Sequence, residues 1–214
     1  MGPPQERHTV IPIKLKKVRA GGLGKQAGFK IYLTPKKSSL LRESVSYVRK
    51  TMKGLEPRDS VFLQAARNCL ESGQHLAAHN ELARLAAEFG FHPDVLEVRW
   101  AIQAQANQWQ SSLESAQAIV DTAPGRPTGW IKRSFVLHRL KRTQEALDEL
   151  FPAAERFSDI AVIPYNLACY AAQLQCFWEA KRWLKQAIEM GSELKLLALR
   201  DPNLEPLWEK LTQP

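Results

Sequence analysis

PYNLACYAAQLQCFWEAKRWLKQAIEMG, residues 164–191, decides how this chain folds, because three of its positions return upstream at one fixed interval. Ala180 is preceded by Pro164 sixteen residues earlier and followed by Ala187 seven residues later. Shifted back by 34 residues, the same triple reads Trp130, Ala146 and Ala153; the next shift gives Leu96, Ser112 and Ile119, and the last gives Phe62, Ala78 and Leu85. Ala78, Ser112, Ala146 and Ala180 all stand where a pair of helices needs a small residue. A repeat of this length is one supersecondary unit that cannot bury its apolar face alone, so copies must stack. Four units then occupy residues 58–194, as 59–92, 93–126, 127–160 and 161–194.

Each unit reads as two helices joined by a tight turn. In VFLQAARNCLESG the apolar residues Phe62, Ala65, Ala66, Cys69 and Leu70 follow the spacing of an amphipathic helix. Gly73 ends it, as a residue in the left-handed region does. A second stripe at Ala78, Leu82, Leu85 and Phe89 predicts a helix that runs to Gly90. Asn107 replaces Gly73 at the second turn, and Asn tolerates positive φ. Pro93 and Pro127 open the second and third units at helix N1, where a missing N–H is harmless, and Pro124 closes the second unit. Pro164 predicts a late start for the fourth unit's first helix, and Pro152 predicts a kink inside the third unit's second helix. Trp100 stands where the other units carry Ala66, Ser134 and Ala168, while Ala116 replaces Leu82, Leu150 and Leu184, an exchange that conserves local volume.

These residues resemble the tetratricopeptide repeat (TPR) family. The fourth unit matches the family pattern with small residues at Ala168, Ala180 and Ala187, an aromatic at Phe177 and the pair Glu179–Ala180, and Trp130 occupies the family's tryptophan position. The resemblance covers residues 59–211, about seven tenths of the chain. It implies an all-α fold, a right-handed α-solenoid of four TPR helix pairs. The tail LALRDPNLEPLWEKL is similar to the ending of a bacterial TPR subgroup, in which a short helix after Asp-Pro covers the last repeat. Residues 195–214 fit that role on their own chemistry: Asp201 as N-cap, Pro202 at N1, and Leu204, Leu207, Trp208 and Leu211 on one apolar face.

In TPR proteins the first helix of each unit lines the concave side of the superhelix. By position the resemblance implies a groove of Leu63, Arg67, Leu70 and Glu71, then Glu97, Ala101, Ala104 and Gln105, then Ile131, Phe135, His138 and Arg139, and finally Tyr165, Cys169, Ala172 and Gln173. Phe135 and Tyr165 offer flat apolar anchors, and the mixed surface suits an extended or helical peptide. The apolar members are equally able to serve as packing between repeats. The Lys/Asn clamp with which some TPR domains hold acidic EEVD-type tails is missing, since its positions carry Leu63 and Arg67, Glu97 and Ala101, Ile131 and Phe135, Tyr165 and Cys169. The expected function is therefore a non-catalytic adaptor that binds a protein or peptide segment, with no cofactor and no metal.

Composition agrees with a water-exposed globular body: 44% of the 214 residues are hydrophobic and 24% charged. No run approaches the length of a membrane span, and MGPPQERHTV lacks the pattern of a secretory signal, so a cytoplasmic address is the expectation. Pro3, and the lack of Ser or Thr at position 6, argue against myristoylation of Gly2. Cys69, Cys169 and Cys176 form no CxxC pair and read as buried thiols. Catalytic and metal motifs find little support. His75 and His79 are four apart on one helix but lack a third ligand and an HExxH frame. GGLGKQAG, residues 21–28, is no phosphate-binding loop, because Arg19 stands at the required Gly and Gln26 follows Lys25.

Charge is unevenly spread. Residues 1–58 carry fourteen Lys or Arg against three Glu, a balance of +11, while the whole chain is +8, so residues 59–214 are −3. This leader, 1–57 by domain, shows strand-like alternation at Ile11, Ile13 and Leu15 and at Phe29, Ile31 and Leu33, then a helical face of Leu41, Val45, Val48 and Met52. Three readings stay open. It is an attachment that engages nucleic acid or another polyanion through Lys14, Lys16, Lys17, Lys36 and Lys37, with the repeats as scaffold; it is a solvated arm; or it lies outside the native reading frame, Met52 standing just upstream of the repeats. Trp109 and Trp178 are placed on the convex side, where they could support self-association.

Overall fold

The turns carry the repeat in their backbone. Gly73, Asn107, Lys141 and Gln175, each 34 residues from the next, have positive φ of 70°, 55°, 63° and 61°. In every case the same two bonds close the preceding helix. The Gly73 N–H donates to the Leu70 carbonyl and the Gln74 N–H to that of Cys69, at 3.0 and 2.8 Å, and the Lys141 and Arg142 N–H groups repeat this on His138 and Leu137. That is a left-handed cap which satisfies two terminal carbonyls and reverses the chain. Gly73 and Asn107 behave as their sequence predicts. Lys141 and Gln175 adopt the same geometry, although the left-handed region is unfavourable for an ordinary L-residue.

The computed structural model describes residues 54–85 and 87–212. The leader's expected strands and helix, with Lys14, Lys16, Lys17, Lys36 and Lys37, lie outside the described residues, as does the Leu211 side chain. Four helix pairs follow in order: α1 Pro57–Glu71 with α2 His75–Ala83, α3 Pro93–Gln105 with α4 Trp109–Thr122, α5 Pro127–Arg139 with α6 Thr143–Arg156, and α7 Val162–Gln173 with α8 Phe177–Met190. Each helix packs on its pair mate, and each second helix packs on the first helix of the next unit. The body is an all-α solenoid. Its tail adds α9 Leu194–Ala198, a 3₁₀ turn at Pro202–Leu204 and α10 Glu205–Thr212.

Small residues sit where helices meet. Ala78, Ser112, Ala146 and Ala180 are all fully buried, as are Ala66, Ser134 and Ala168. Gly129 marks a close approach of α5 to α4: a Cβ there would lie 2.9 Å from Ile119 Cγ2 and 3.0 Å from the Val120 nitrogen. One apolar core spans the third and fourth units and the tail, and a smaller one joins the first unit to α3. Leu204 and Leu207 are wholly buried in the larger core, and the Trp208 Nε1–H donates to the Ala198 carbonyl at 3.1 Å.

Several expectations are corrected. The first unit's second helix stops at Ala83, and the chain tightens into a 3₁₀ turn, Ala87–Phe91, before the next unit. This turn buries Phe89 and presents the Gly90 carbonyl to the Arg99 guanidinium at 3.1 Å, two contacts that take the place of the missing helical turn. The helix holding Pro164 starts at Val162, with the proline in the first turn, where no helical bond needs its N–H. Pro152 does lie inside the third unit's second helix as its position implied, and α6 runs on to Arg156. Asp201 does cap, accepting from the Asn203 N–H at 2.9 Å, but it caps the 3₁₀ turn that precedes α10. Leu63 is core and not groove.

Candidate functional site

On the side formed by the first helices, α3, α5 and the start of α4 bring together an aromatic and cationic cluster. Phe135, 39% exposed, lies edge-on to Trp100 at 6.2 Å and to Trp109 at 6.3 Å between ring centroids. Such edge-to-face pairs contribute about 0.5–1.5 kcal/mol beyond the area they bury. The Lys132 ammonium stands 4.0 Å over the Trp100 ring, and the Arg139 guanidinium 4.8 Å over that of Trp109. Burial pulls the Lys132 pKa below its usual value, with the Glu97 carboxylate pulling the other way. Glu97 itself accepts from the Thr128 hydroxyl at 2.7 Å and lies 3.9 Å from Arg126, which pairs with Asp94. Trp109 thus belongs to this cluster, against the expectation of the convex side. Trp178, 69% exposed, stays at the surface. The Trp100 Nε1–H is buried without a partner.

The fourth unit's share of the expected groove is already covered, by the chain's own tail. The Tyr165 hydroxyl donates to the Asp201 carboxylate at 2.9 Å, and the Cys169 thiol approaches the same oxygen at 3.6 Å. Gln173 donates through Nε2 to the Asn203 carbonyl at 2.9 Å. From α5, His138 reaches the Asn203 side-chain oxygen at 3.0 Å through Nε2 and the Thr143 hydroxyl at 3.0 Å through Nδ1. Asn203 Nδ2 donates to Asp201, so its oxygen is the acceptor and the His138 proton sits on Nε2. Burial holds the His138 pKa below the usual value, and the bond to Asn203 acts against it. Burial also pushes the Tyr165 hydroxyl and the Cys169 thiol far up, with Asp201 adding to both. Both stay protonated as donors, and this thiol is no activated nucleophile.

Tyr165, expected as an open anchor, is therefore 6% exposed beneath Asp201, and Cys169 and Ala172 are buried with it. Gln173 is exposed but engaged. Phe135 and Arg139 remain open beside half-buried Ile131 and Glu97. Arg67 is half-buried, Glu71 and Gln105 are exposed, and no described contact joins these three to the aromatic cluster. Sequence reasoning missed Lys132 as a member, and treated Trp100 as a packing exchange. The available signal was the Lys132–Phe135 spacing, one helical turn, which puts cation and ring on one face.

On the opposite side a second feature follows the repeat. A groove of about 520 Å³ between α4 and α6 is floored by Leu137 and Arg133. Arg133 is 7% exposed, donates to Gln117 at 3.0 Å, and pairs with Glu149. Burial lowers its pKa, the Glu149 and Asp121 carboxylates oppose that shift, and its Nε–H has no partner. A smaller groove of about 220 Å³ repeats the arrangement one unit earlier around Arg99. Among the described residues no group of three or more His, Cys, Asp or Glu is placed to hold a metal, and no helix is long and apolar enough to cross a membrane.

No protein-family model matches the chain, and no curated protein matches it either. Solved structures do. MamA from Desulfovibrio magneticus RS-1 superposes with a TM-score of 0.58 at 15% identity, over 74% of this chain and 94% of that one. A double mutant of MamA gives 0.58 at 16%, over 74% and 93%. A chain of the APC/C hetero-tetramer Cut9-Hcn1 gives 0.58 at 14%, over 71% of this chain and 29% of that one. The repeat body has the tetratricopeptide-repeat fold. At these identities the likeness is one of fold. Here the TPR first-helix face divides into a covered fourth unit and an open aromatic third.

Proposed function

We propose that this protein is a non-catalytic interaction scaffold that holds a peptide segment of a partner protein against α3 and α5. One observation carries the reading: Phe135, an exposed phenyl ring on a first helix, is set between two tryptophans and flanked by two cations. Aromatic side chains and Arg are enriched at protein interfaces, and Trp and Arg are among the residues that most often dominate their binding energy. The Cut9-Hcn1 neighbour is, by its description, a hetero-tetramer, which supports an assembly role for this fold. The buried, protonated Tyr165 and Cys169 offer no general base or nucleophile to set against it.

The test is peptide capture by the full chain. Phe135→Ala is expected to weaken a captured peptide about tenfold or more, by the usual cost of losing an aromatic anchor, while Trp178→Ala on α8 leaves it unchanged. Equal affinity for both variants and the parent would remove the first-helix face as the site.

A further inference from the structure

The chain's own tail shows how a segment lies on this scaffold. Tyr165, Cys169 and Gln173 are spaced by four along α7, and they hold Asp201 at one end and Asn203 at the other. The repeat puts Ile131, Phe135 and Arg139 at the same three positions of α5, one unit earlier. There the two donors that face Asp201 are replaced by apolar groups, and the amide that meets the Asn203 carbonyl is replaced by a guanidinium. Among the described residues neither Arg139 nor Lys132 has a salt-bridge partner; both cations rest on indole rings. The neighbouring carboxylate, Glu97, is already bonded to Thr128 and faces Arg126.

We infer that the α5 face takes an acidic segment of a partner protein, laid as residues 201–203 lie on α7 but with its chemistry inverted: an apolar residue in the place of Asp201, on Ile131 and Phe135, and an Asp or Glu in the place of Asn203, paired with Arg139. The inference rests on the scaffold function proposed above and names its ligand. Charge complementarity fixes the sign. Lys132 already feels the Glu97 carboxylate, so the guanidinium of Arg139, which among the described residues has no salt-bridge partner and rests on an indole, is the cation that attracts an anion and repels a basic segment. The bidentate fork of Arg139 favours a carboxylate over a backbone carbonyl, which is all that Gln173 meets. The inner end of the open face adjoins the tail through His138, which belongs to α5 and bonds Asn203.

The experiment pans a random twelve-residue peptide library on the full chain, then measures the enriched peptides by fluorescence anisotropy at two salt concentrations. The expected winners carry an apolar residue two positions before an Asp or Glu. They lose about tenfold or more in affinity to Arg139→Glu, and recover part of it when their own acid is changed to Lys. Both Phe135 and Arg139 are exposed, so the variants keep the fold, which a thermal melt checks. Winners that are neutral or basic yet still lose binding to Phe135→Ala overturn the acidic assignment and leave the scaffold function standing. Winners indifferent to Phe135→Ala, or no winners at all, overturn both.

Discussion

Between the second and third units, Gln117, Arg133 and Glu149 meet around an open groove of about 520 Å³. Exactly one repeat later, between the third and fourth, the same positions hold Phe151, Leu167 and Trp183, with the two rings edge to face at 5.9 Å and Leu167 wholly buried. The backbone frame is shared, and the chemistry is opposite. At the first junction a buried guanidinium keeps its charge through one carboxylate and one amide, and leaves its Nε–H unsatisfied. At the second, apolar atoms fill the space. Size is redistributed too: Gly129 sits against Ile119 at the polar junction, whereas its counterpart in the next unit is Ile163 and that of Ile119 is Ala153. A stacked repeat thus fixes where a contact falls and leaves each junction to solve its own packing.

Exchanging the central residues breaks the comparison most sharply. Leu167→Arg puts a charge among Phe151 and Trp183, with no carboxylate in the position of Glu149, and is expected to cost about 4 kcal/mol, the usual scale for an uncompensated buried charge. Arg133→Leu removes a charge whose partner Glu149 is half exposed and stays solvated, so its effect is expected within about 1 kcal/mol of zero. Urea unfolding of the two variants checks the pair. Equal losses would show that the polar junction depends on its charge as strongly as the apolar one depends on its absence.

The size exchange gives a smaller effect. Gly129→Ala forces a methyl to within 2.9 Å of Ile119 Cγ2 and 3.0 Å of backbone, which must shift. A loss of about 1–3 kcal/mol is expected by the usual cost of overpacking. The double variant with Ile119→Ala, which copies the small residue of the next junction, is expected to recover part of it in the same urea titration. An unchanged midpoint for Gly129→Ala would mean α4 and α5 are free to separate.

Much of this was legible before any coordinates. The 34-residue spacing placed the helix pairs, because a small residue at Ala180 or Ala146 is demanded by close approach wherever the fold repeats. The junction chemistry was equally present in the spacing of Arg133 and Leu167, but periodicity reports position and says nothing of which polar atoms find partners. The candidate site was half legible. Phe135 and Arg139 were placed by repeat position. Tyr165 failed because Asp201 and Pro202 read as a helix cap, and a cap uses only one carboxylate oxygen: Asp201 Oδ1 caps while Oδ2 receives Tyr165, a contact 36 residues distant that no local pattern shows. The early end of α2 was hidden for a similar reason, since Phe89 continues the helical stripe but is buried by a tighter turn.

The turns on either side of that same fourth-unit junction yield the smallest effect and the cleanest one. Gly73 and Asn107 suit positive φ, whereas Lys141 and Gln175 hold φ of 63° and 61° with a Cβ that crowds the following carbonyl. The left-handed region costs an ordinary residue roughly 1–2 kcal/mol, while glycine adds back about 0.5–1 kcal/mol of chain entropy lost on folding. Gln175→Gly and Lys141→Gly are therefore each expected to stabilise by up to about 1 kcal/mol, and Gly73→Ala to destabilise by about the same. Neither Lys141 nor Gln175 is buried, so packing does not enter the balance and the melting temperature reads the backbone alone. Opposite signs for Gln175→Gly and Gly73→Ala mean that the stack imposes the turn on residues that resist it; the same sign would locate the positive φ in the residues and not in the repeat.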